Sequence, residues 1–270
     1  ASIEALRWAT APNGLGLPVR PVLAWEFPIA SFLPAPMGGS AVPSVDAMQR
    51  AATEAARTTV EAVGDTEATI LDPIVREGSP ATVLLGLSDR AALIVVGCRG
   101  LGRVKRALLG STSREVVYRA DVPIALVPDD DDRDDGGPRR IVVGIDDSEH
   151  ATHALRWAMQ WARADDEVSA VCAWEIPHGI GYDVPQFDPE NLRTRARDTV
   201  HAAIEAVDGT GQIFAKIAEG DPRTVLRRMA DDADLLVVGA RGRTGLAHLA
   251  LGSTTSLLIA RPTVPVVVVP

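Results

Sequence analysis

The chain carries only two cysteines, Cys98 and Cys172, in 270 residues. Two thiols do not make a disulfide framework, so the fold rests on its apolar core, and a reducing compartment fits. Both read as free thiols, Cys98 in a glycine loop and Cys172 inside a strand. No apolar run approaches the roughly 18 residues of a membrane span. No signal-peptide pattern is visible, and the chain begins at Ala1 rather than methionine. Positive charge is also short. Lysine and arginine number 27 against 36 aspartates and glutamates, a formal net charge of −9. That balance argues against non-specific binding to nucleic-acid phosphates.

Two common phosphate cradles are missing. There is no G-x-x-x-x-G-K-[ST], which excludes a Walker-type loop with its lysine. No G-x-G-x-x-G follows the first strand of the second half, so dinucleotide binding of that kind is unsupported. Asp146-Asp147-Ser148 has a faint likeness to the turn of adenylating enzymes with a pyrophosphatase loop, but their serine- and glycine-rich loop is absent.

What is present is a repeat. Gly97-Cys98-Arg99-Gly100 is followed by Gly110-Ser111, and Gly239-Ala240-Arg241-Gly242 by Gly252-Ser253. Each copy follows an apolar run, Leu93–Val96 and Leu235–Val238. Spacing kept across two copies is far harder to obtain by chance than one glycine motif. Leu6-Arg7-Trp8-Ala9 matches Leu155-Arg156-Trp157-Ala158, and Ala24-Trp25-Glu26 matches Ala173-Trp174-Glu175, both at an offset of 149. Gly78-Ser79-Pro80 and Val122-Pro123 match Gly220-Asp221-Pro222 and Val264-Pro265 at 142, the offset of the glycine motifs. The seven-residue difference falls in the loop around Pro34–Gly39.

The length suits two domains, residues 1–128 and 139–270, and 46% hydrophobic with 23% charged residues suits globular ones. Residues 129–138 read as an acidic, solvated hinge, because a block of aspartates repels itself. The second half reads as alternating elements. Strands are expected at 141–145, 168–174, 212–217, 235–239 and 265–269, and helices at 150–163, 189–207, after Asp221, and 253–260. Continuous apolar strands between helices imply a parallel sheet covered on both faces. The fold class is therefore α/β, two flavodoxin-like (Rossmann-like) domains, each a five-stranded parallel sheet in the order 3-2-1-4-5. The last strands, Ile124–Val127 and Val266–Val269, are bare edges that would cover one another by pairing, giving an internal pseudo-dimer. Ala1 aligns with His150, so the first half has no counterpart of Ile141–Glu149. The expectation is a chain incomplete at its N-terminus, or a first strand supplied from elsewhere.

The chemistry sits at the strand ends. Asp146 stands at the mouth of the crevice, where a carboxylate accepts from a sugar hydroxyl or a base amino group. Gly239 leaves room for a ligand to approach the backbone, and Gly242 lets the loop turn with positive φ. Gly252-Ser253-Thr254 opens the last helix, whose free amides and dipole suit phosphate. Arg241 and Arg243 offer countercharge, and a triphosphate there would bring a divalent cation. Plainer roles compete for each: Gly239 as strand punctuation, Ser253 as a cap, Asp146 as a turn residue, the arginines as solvated charges. His150 and His153 share a helix face without a third ligand, so no metal site is expected from protein residues. His248 lies in the site loop. Trp25 and Trp174 end the second strand of each half, with packing favoured over base stacking.

Gly-x2-Gly-x9-Gly-Ser after strand four, with Val-Gly-Ile-Asp-Asp-Ser at strand one, resembles the ATP-binding type of universal stress protein, here as a tandem spanning essentially the whole chain. The resemblance implies ATP, with Mg2+, in the strand-end crevice. It assigns Asp146 to the adenosine side, Ala173 to adenine, and Gly239, Gly242, Gly252, Ser253 and Thr254 to ribose and phosphate. Ala24, Gly97, Gly100, Gly110, Ser111 and Thr112 match likewise in the first half, which lacks the aspartate. It also implies dimerisation through the last strands, leaving a homodimer of tandems open. The expected role is a cytoplasmic stress or dormancy regulator, not an enzyme, with one nucleotide site per domain and an unidentified protein partner. No nucleic-acid or membrane partner is expected. Turnover should be slow or absent, since no evident base activates water and no lysine lines the second-half motif. The alternatives are a slow metal-dependent ATPase or phosphotransferase, and a nucleotide-independent dimerisation scaffold.

Overall fold

Short runs of valine, isoleucine and leucine between helices of mixed polarity form strands buried on both faces. In the computed structural model these runs build one seven-stranded sheet and one two-stranded sheet. The structure describes residues 2–12, 14–27, 44–64, 66, 68–98, 109–129, 137–176, 188–208, 212–242 and 251–270. The Pro34–Gly39 loop, most of the acidic linker and residues 177–187 lie outside them.

The first half runs α1 (Ser2–Thr10), β1 (Val22–Trp25), α2 (Val45–Glu61), β2 (Ile74–Glu77), α3 (Pro80–Leu85), β3 (Ile94–Gly97), α4 (Ser111–Arg119) and β4 (Ile124–Val127). The second half runs β5 (Arg140–Gly144), α5 (Glu149–Trp161), β6 (Glu167–Trp174), α6 (Pro189–Glu205), β7 (Gln212–Glu219), α7 (Pro222–Ala230), β8 (Leu235–Gly239), α8 (Ser253–Ala260) and β9 (Val266–Val269). Helix starts follow their caps. Ser148 accepts from the Ala151 amide to open α5, and Asp221 accepts from the Arg223 and Thr224 amides to open α7 behind Pro222. Gly78 and Gly220 precede Ser79 and Asp221, the caps of α3 and α7, at φ of 131° and 129°, a region unfavourable to side chains, which is why the repeat keeps glycine there.

The large sheet is ordered β3-β4-β9-β8-β5-β6-β7. Every pairing in it is parallel except β4 with β9, where Ile124 faces Val268 and Leu126 faces Val266 in antiparallel register. The two bare apolar edges thus cover each other, and the halves share one sheet. Side chains alternate between two layers. Val142, Leu236, Val238 and Val266 join Val225, Leu258 and the first half's Val116 on one face. Ile141, Val143, Val237 and Val267 join Leu155, Trp157 and Val200 on the other.

The first half departs from the expected five-stranded parallel sheet. Among the described residues it has four strands, split into the β1–β2 pair and the β3–β4 pair, and the second pair belongs to the other half's sheet. The physical reason is the central strand. In the second half β5 lies between β6 and β8 and ties them together, and no described residue of the first half takes that place between β1 and β3. The halves are also not two separate parallel sheets, because the β4–β9 ladder makes the joint sheet mixed.

At the end of the sheet away from the crevice, Arg139 and Asp166 form a buried ion pair, with side chains 6% and 0% exposed. The Arg139 amide and Nε donate to Asp166 at 2.8 and 3.0 Å, its Nη2 donates to the Trp161 carbonyl at 2.7 Å, and its Nη1 lies 3.5 Å from the Gly14 carbonyl of the first half. Burial pushes the Asp166 carboxyl up, but the Arg139 guanidinium and the Arg163 and Arg139 amides outweigh it and hold the group below its ordinary range.

Candidate functional site

Four chain segments converge at the carboxyl ends of β5, β6 and β8 in the second half. β5 delivers Asp146, β6 delivers Ala173, β8 delivers Gly239 and then Arg241 and Gly242, and α8 begins at Ser253 behind its cap Gly252. Asp146 is held by its own turn. Its Oδ1 accepts from the Ser148 amide at 3.0 Å and from the Ser148 hydroxyl. Ser148 Oγ also accepts from the Ala151 amide at 3.2 Å and stands 3.4 Å from the Arg241 carbonyl. Ser148 therefore ties the acidic turn, the start of α5 and the β8 loop together. Its place directly after two aspartates and before a helix is a cap signal.

The glycines of the motif are spaced by the protein itself. A Cβ at Gly239 would lie 2.7–2.8 Å from the backbone and Cβ of His150, so this glycine admits the first turn of α5. Gly242 does not have the positive φ expected of it. Its missing Cβ instead makes room for Asp146, whose Oδ2 would be 2.6 Å away. A Cβ at Gly252 would meet the Gly242 nitrogen at 3.3 Å and the Arg241 Cα at 3.6 Å, which keeps the α8 start against the loop. Gly242 thus seats Asp146, Gly252 packs on Gly242, and Gly239 packs on His150.

Among the described residues the α8 start has no side-chain cap. Gly252 has no side chain to cap it, and its own amide goes back to the Ala240 carbonyl at 2.8 Å. The first-turn amides of Ser253 and Thr254 have no side-chain cap among the described residues, and Ser253 is exposed. Thr255 turns inward. Its hydroxyl donates to the Gly239 carbonyl at 2.7 Å. This donor set, a fixed carboxylate opposite open helix amides, fits a sugar hydroxyl on one side and a phosphate on the other.

The first half repeats the loop without the acid. Gly97 ends β3, the Gly110 amide donates to the Cys98 carbonyl at 2.8 Å, Ser111 and Thr112 open α4, and Ser113 donates to the Gly97 carbonyl at 2.6 Å. Ala24 lies in β1 and takes the register position of Ala173 in β6. The structure brings Gly97, Gly110, Ser111 and Thr112 together, but no described first-half residue stands where Asp146 stands. Gly100, Arg243 and His248 lie outside the described residues. Ser113 and Thr255 are a hydroxyl recurring at the offset of 142, one residue beyond the motif positions named from sequence.

Arg241 borders the first half. Together with His150 and Ala240 it lines a cavity whose opposite wall is the α4–β4 turn, Tyr118 to Val122. Its Nε and His150 Nδ1 are buried there with no hydrogen-bond partner among the described residues. Trp25 donates from Nε1 to Gln49 Oε1 at 2.9 Å and Trp174 packs on the core, consistent with packing roles for both. Neither cysteine is in a disulfide, and both are buried. Among the described residues no cluster of histidine, cysteine and carboxylate could hold a metal. No described helix is long and apolar enough to cross a membrane.

Comparison with known proteins points one way. The universal stress protein family matches the chain twice, at residues 2–128 and 137–270. A universal stress protein of Mycolicibacterium smegmatis is 29% identical over 223 residues, 80% of this chain and 74% of its own length. One from Mycobacterium tuberculosis is 29% identical over 196 residues, 70% of this chain and 65% of its own length. The crystal structure of a universal stress protein from Archaeoglobus fulgidus superimposes with a TM-score of 0.60 at 21% identity, covering 96% of this chain and 90% of that one, which speaks to the fold alone.

Proposed function

The chain belongs to the universal stress protein family, and from that premise and the crevice above we propose that it holds an adenine nucleotide, ATP with Mg2+, and acts as a nucleotide-dependent regulator. The observation that carries this is Asp146 seated at Gly242, with Gly252 packed on Gly242 at the start of α8, which has no side-chain cap among the described residues. Asp146 accepts from the sugar. The backbone at Ala173 meets the base. The amides of Ser253 and Thr254, with the helix dipole, meet the phosphate charge. Mg2+ enters with the phosphates, since the described residues offer it no cage.

The site holds rather than consumes. Ser148 ties Asp146 into its turn, and no histidine or lysine of the described residues joins the α8 start to act on water. Binding instead rigidifies the Ala240–Gly242 loop, and that loop is the wall shared with the first half. Nucleotide occupancy is thereby coupled to the geometry of the halves, which is how a regulator selects a partner.

Titration with Mg-ATP, read by calorimetry and by phosphate release in parallel, tests this. The expected result is saturable binding without turnover. Phosphate release abolished by Asp146→Asn would make the protein an ATPase, and no binding would remove the proposal.

A further inference from the structure

The cavity at the seam between the halves has a volume of about 100 Å³, room for several waters or one small organic molecule. It is separate from the crevice, since neither Asp146, Ala173 nor Ser253 lines it. We propose that it binds a small α-amino acid, with the carboxylate toward Arg241 and the ammonium group toward the end of α4.

The second half builds a positive wall. Arg241 follows β8, and His150 stands in the first turn of α5, where Gly239 leaves it room. Arg241 Nε and His150 Nδ1 are buried without a hydrogen-bond partner among the described residues. Buried polar atoms are almost always bonded, so these two mark a place that something other than protein completes. A guanidinium takes a carboxylate on its fork, and His150 donates from Nδ1 in the tautomer that carries its proton there.

The first half builds the opposite wall. α4 ends at Arg119, and a helix C-terminus leaves carbonyls without amide partners and carries partial negative charge. Asp121 follows in the turn, exposed, and lines the same cavity. Arg119 lines it too but is paired to Glu115 at 2.6 Å, which compensates its charge. Arg241 and Asp121 therefore border one space without forming an ion pair across it. A simple anion there would meet Asp121, and a simple cation would meet Arg241. A zwitterion satisfies both. Ile124 and Val268 supply an apolar floor suited to its Cα and a short side chain.

The internal repeat shows that this arrangement is one-sided. At the offset of 142 Tyr118 and Asp121 become Ala260 and Thr263, while Arg119 and Val122 stay arginine and valine as Arg261 and Val264. Thr263 turns to Asp231, its hydroxyl donating at 3.3 Å. The same turn thus folds without a carboxylate, and the one at position 121 is not demanded by the fold. One site per chain follows. The proposal does not rest on the nucleotide reading.

The probe is glycine, titrated into the full chain by calorimetry without added nucleotide. Acetate and methylamine serve as one-ended controls. The expected result is one glycine per chain with a Kd below about 1 mM, within what its few non-hydrogen atoms can supply. Acetate and methylamine should each bind at least about tenfold more weakly, the value of one charged hydrogen bond. Arg241→Gln should weaken glycine binding by a similar factor. Asp121→Asn should bring glycine down to the affinity of acetate and leave Mg-ATP titration unchanged. A purely structural Asp121 would lower stability without moving the ratio of glycine to acetate affinity. Absence of saturable glycine binding, two glycines per chain, acetate binding as tightly as glycine, or unchanged glycine binding in either variant overturns the proposal.

Discussion

The hydroxyl of Thr255 donates to the carbonyl of Gly239 at 2.7 Å, pinning the first turn of α8 to the end of β8. Ser113 makes the same bond to Gly97 at 2.6 Å. This staple fixes the distance between the loop that closes around Asp146 and the amides facing it. Thr255→Val keeps the shape and removes the donor. The buried carbonyl then lacks its partner, which costs about 1–3 kcal/mol. Urea unfolding should show that loss, and Thr255→Ser should restore most of it.

Gly239→Ala places a methyl 2.7–2.8 Å from the His150 backbone. Helix α5 must shift, and overpacking of this kind costs about 1–3 kcal/mol. Thermal unfolding should report it without any nucleotide present. A neutral substitution would show that the close approach is not as described.

Asp146→Ala removes the carboxylate that Ser148 and Gly242 position. Loss of one charged hydrogen bond to a sugar hydroxyl should weaken Mg-ATP binding at least about tenfold, since such bonds contribute about 1.5–3 kcal/mol. Calorimetry checks this. Circular dichroism should stay native, because Ser148 still caps α5.

Arg139→Met leaves the Asp166 carboxylate buried without its main partner, which should destabilise the fold by about 3–5 kcal/mol. The pair also sets an acid limit. The Asp166 pKa in the folded chain lies below its unfolded value near 3.8. Its stabilisation is therefore complete above that value and is lost as pH falls through the lower folded one. Urea midpoints measured at decreasing pH should show this decline in the wild type and a weaker one in Asp166→Asn.

Much of the second half could be read from residues alone. Val, Ile and Leu runs gave the strands, and Asp221-Pro222 and Asp188-Pro189 gave helix starts that the structure keeps. The bare edges at Ile124–Val127 and Val266–Val269 foretold their pairing, because exposed apolar edge strands need cover. What pattern could not supply was the neighbour of each glycine. Periodicity says that Gly239 and Gly242 lack side chains; only coordinates show that His150 and Asp146 fill the space. The buried Arg139–Asp166 pair was equally hidden, since its partners are brought together by the sheet rather than by any local motif.

The most direct measurement is to denature the purified chain and identify the released small molecule by mass. The expected result is ATP at about one per chain. Absence of any nucleotide, both as purified and after incubation with Mg-ATP, would contradict the claim that Asp146 and the α8 start form a nucleotide site.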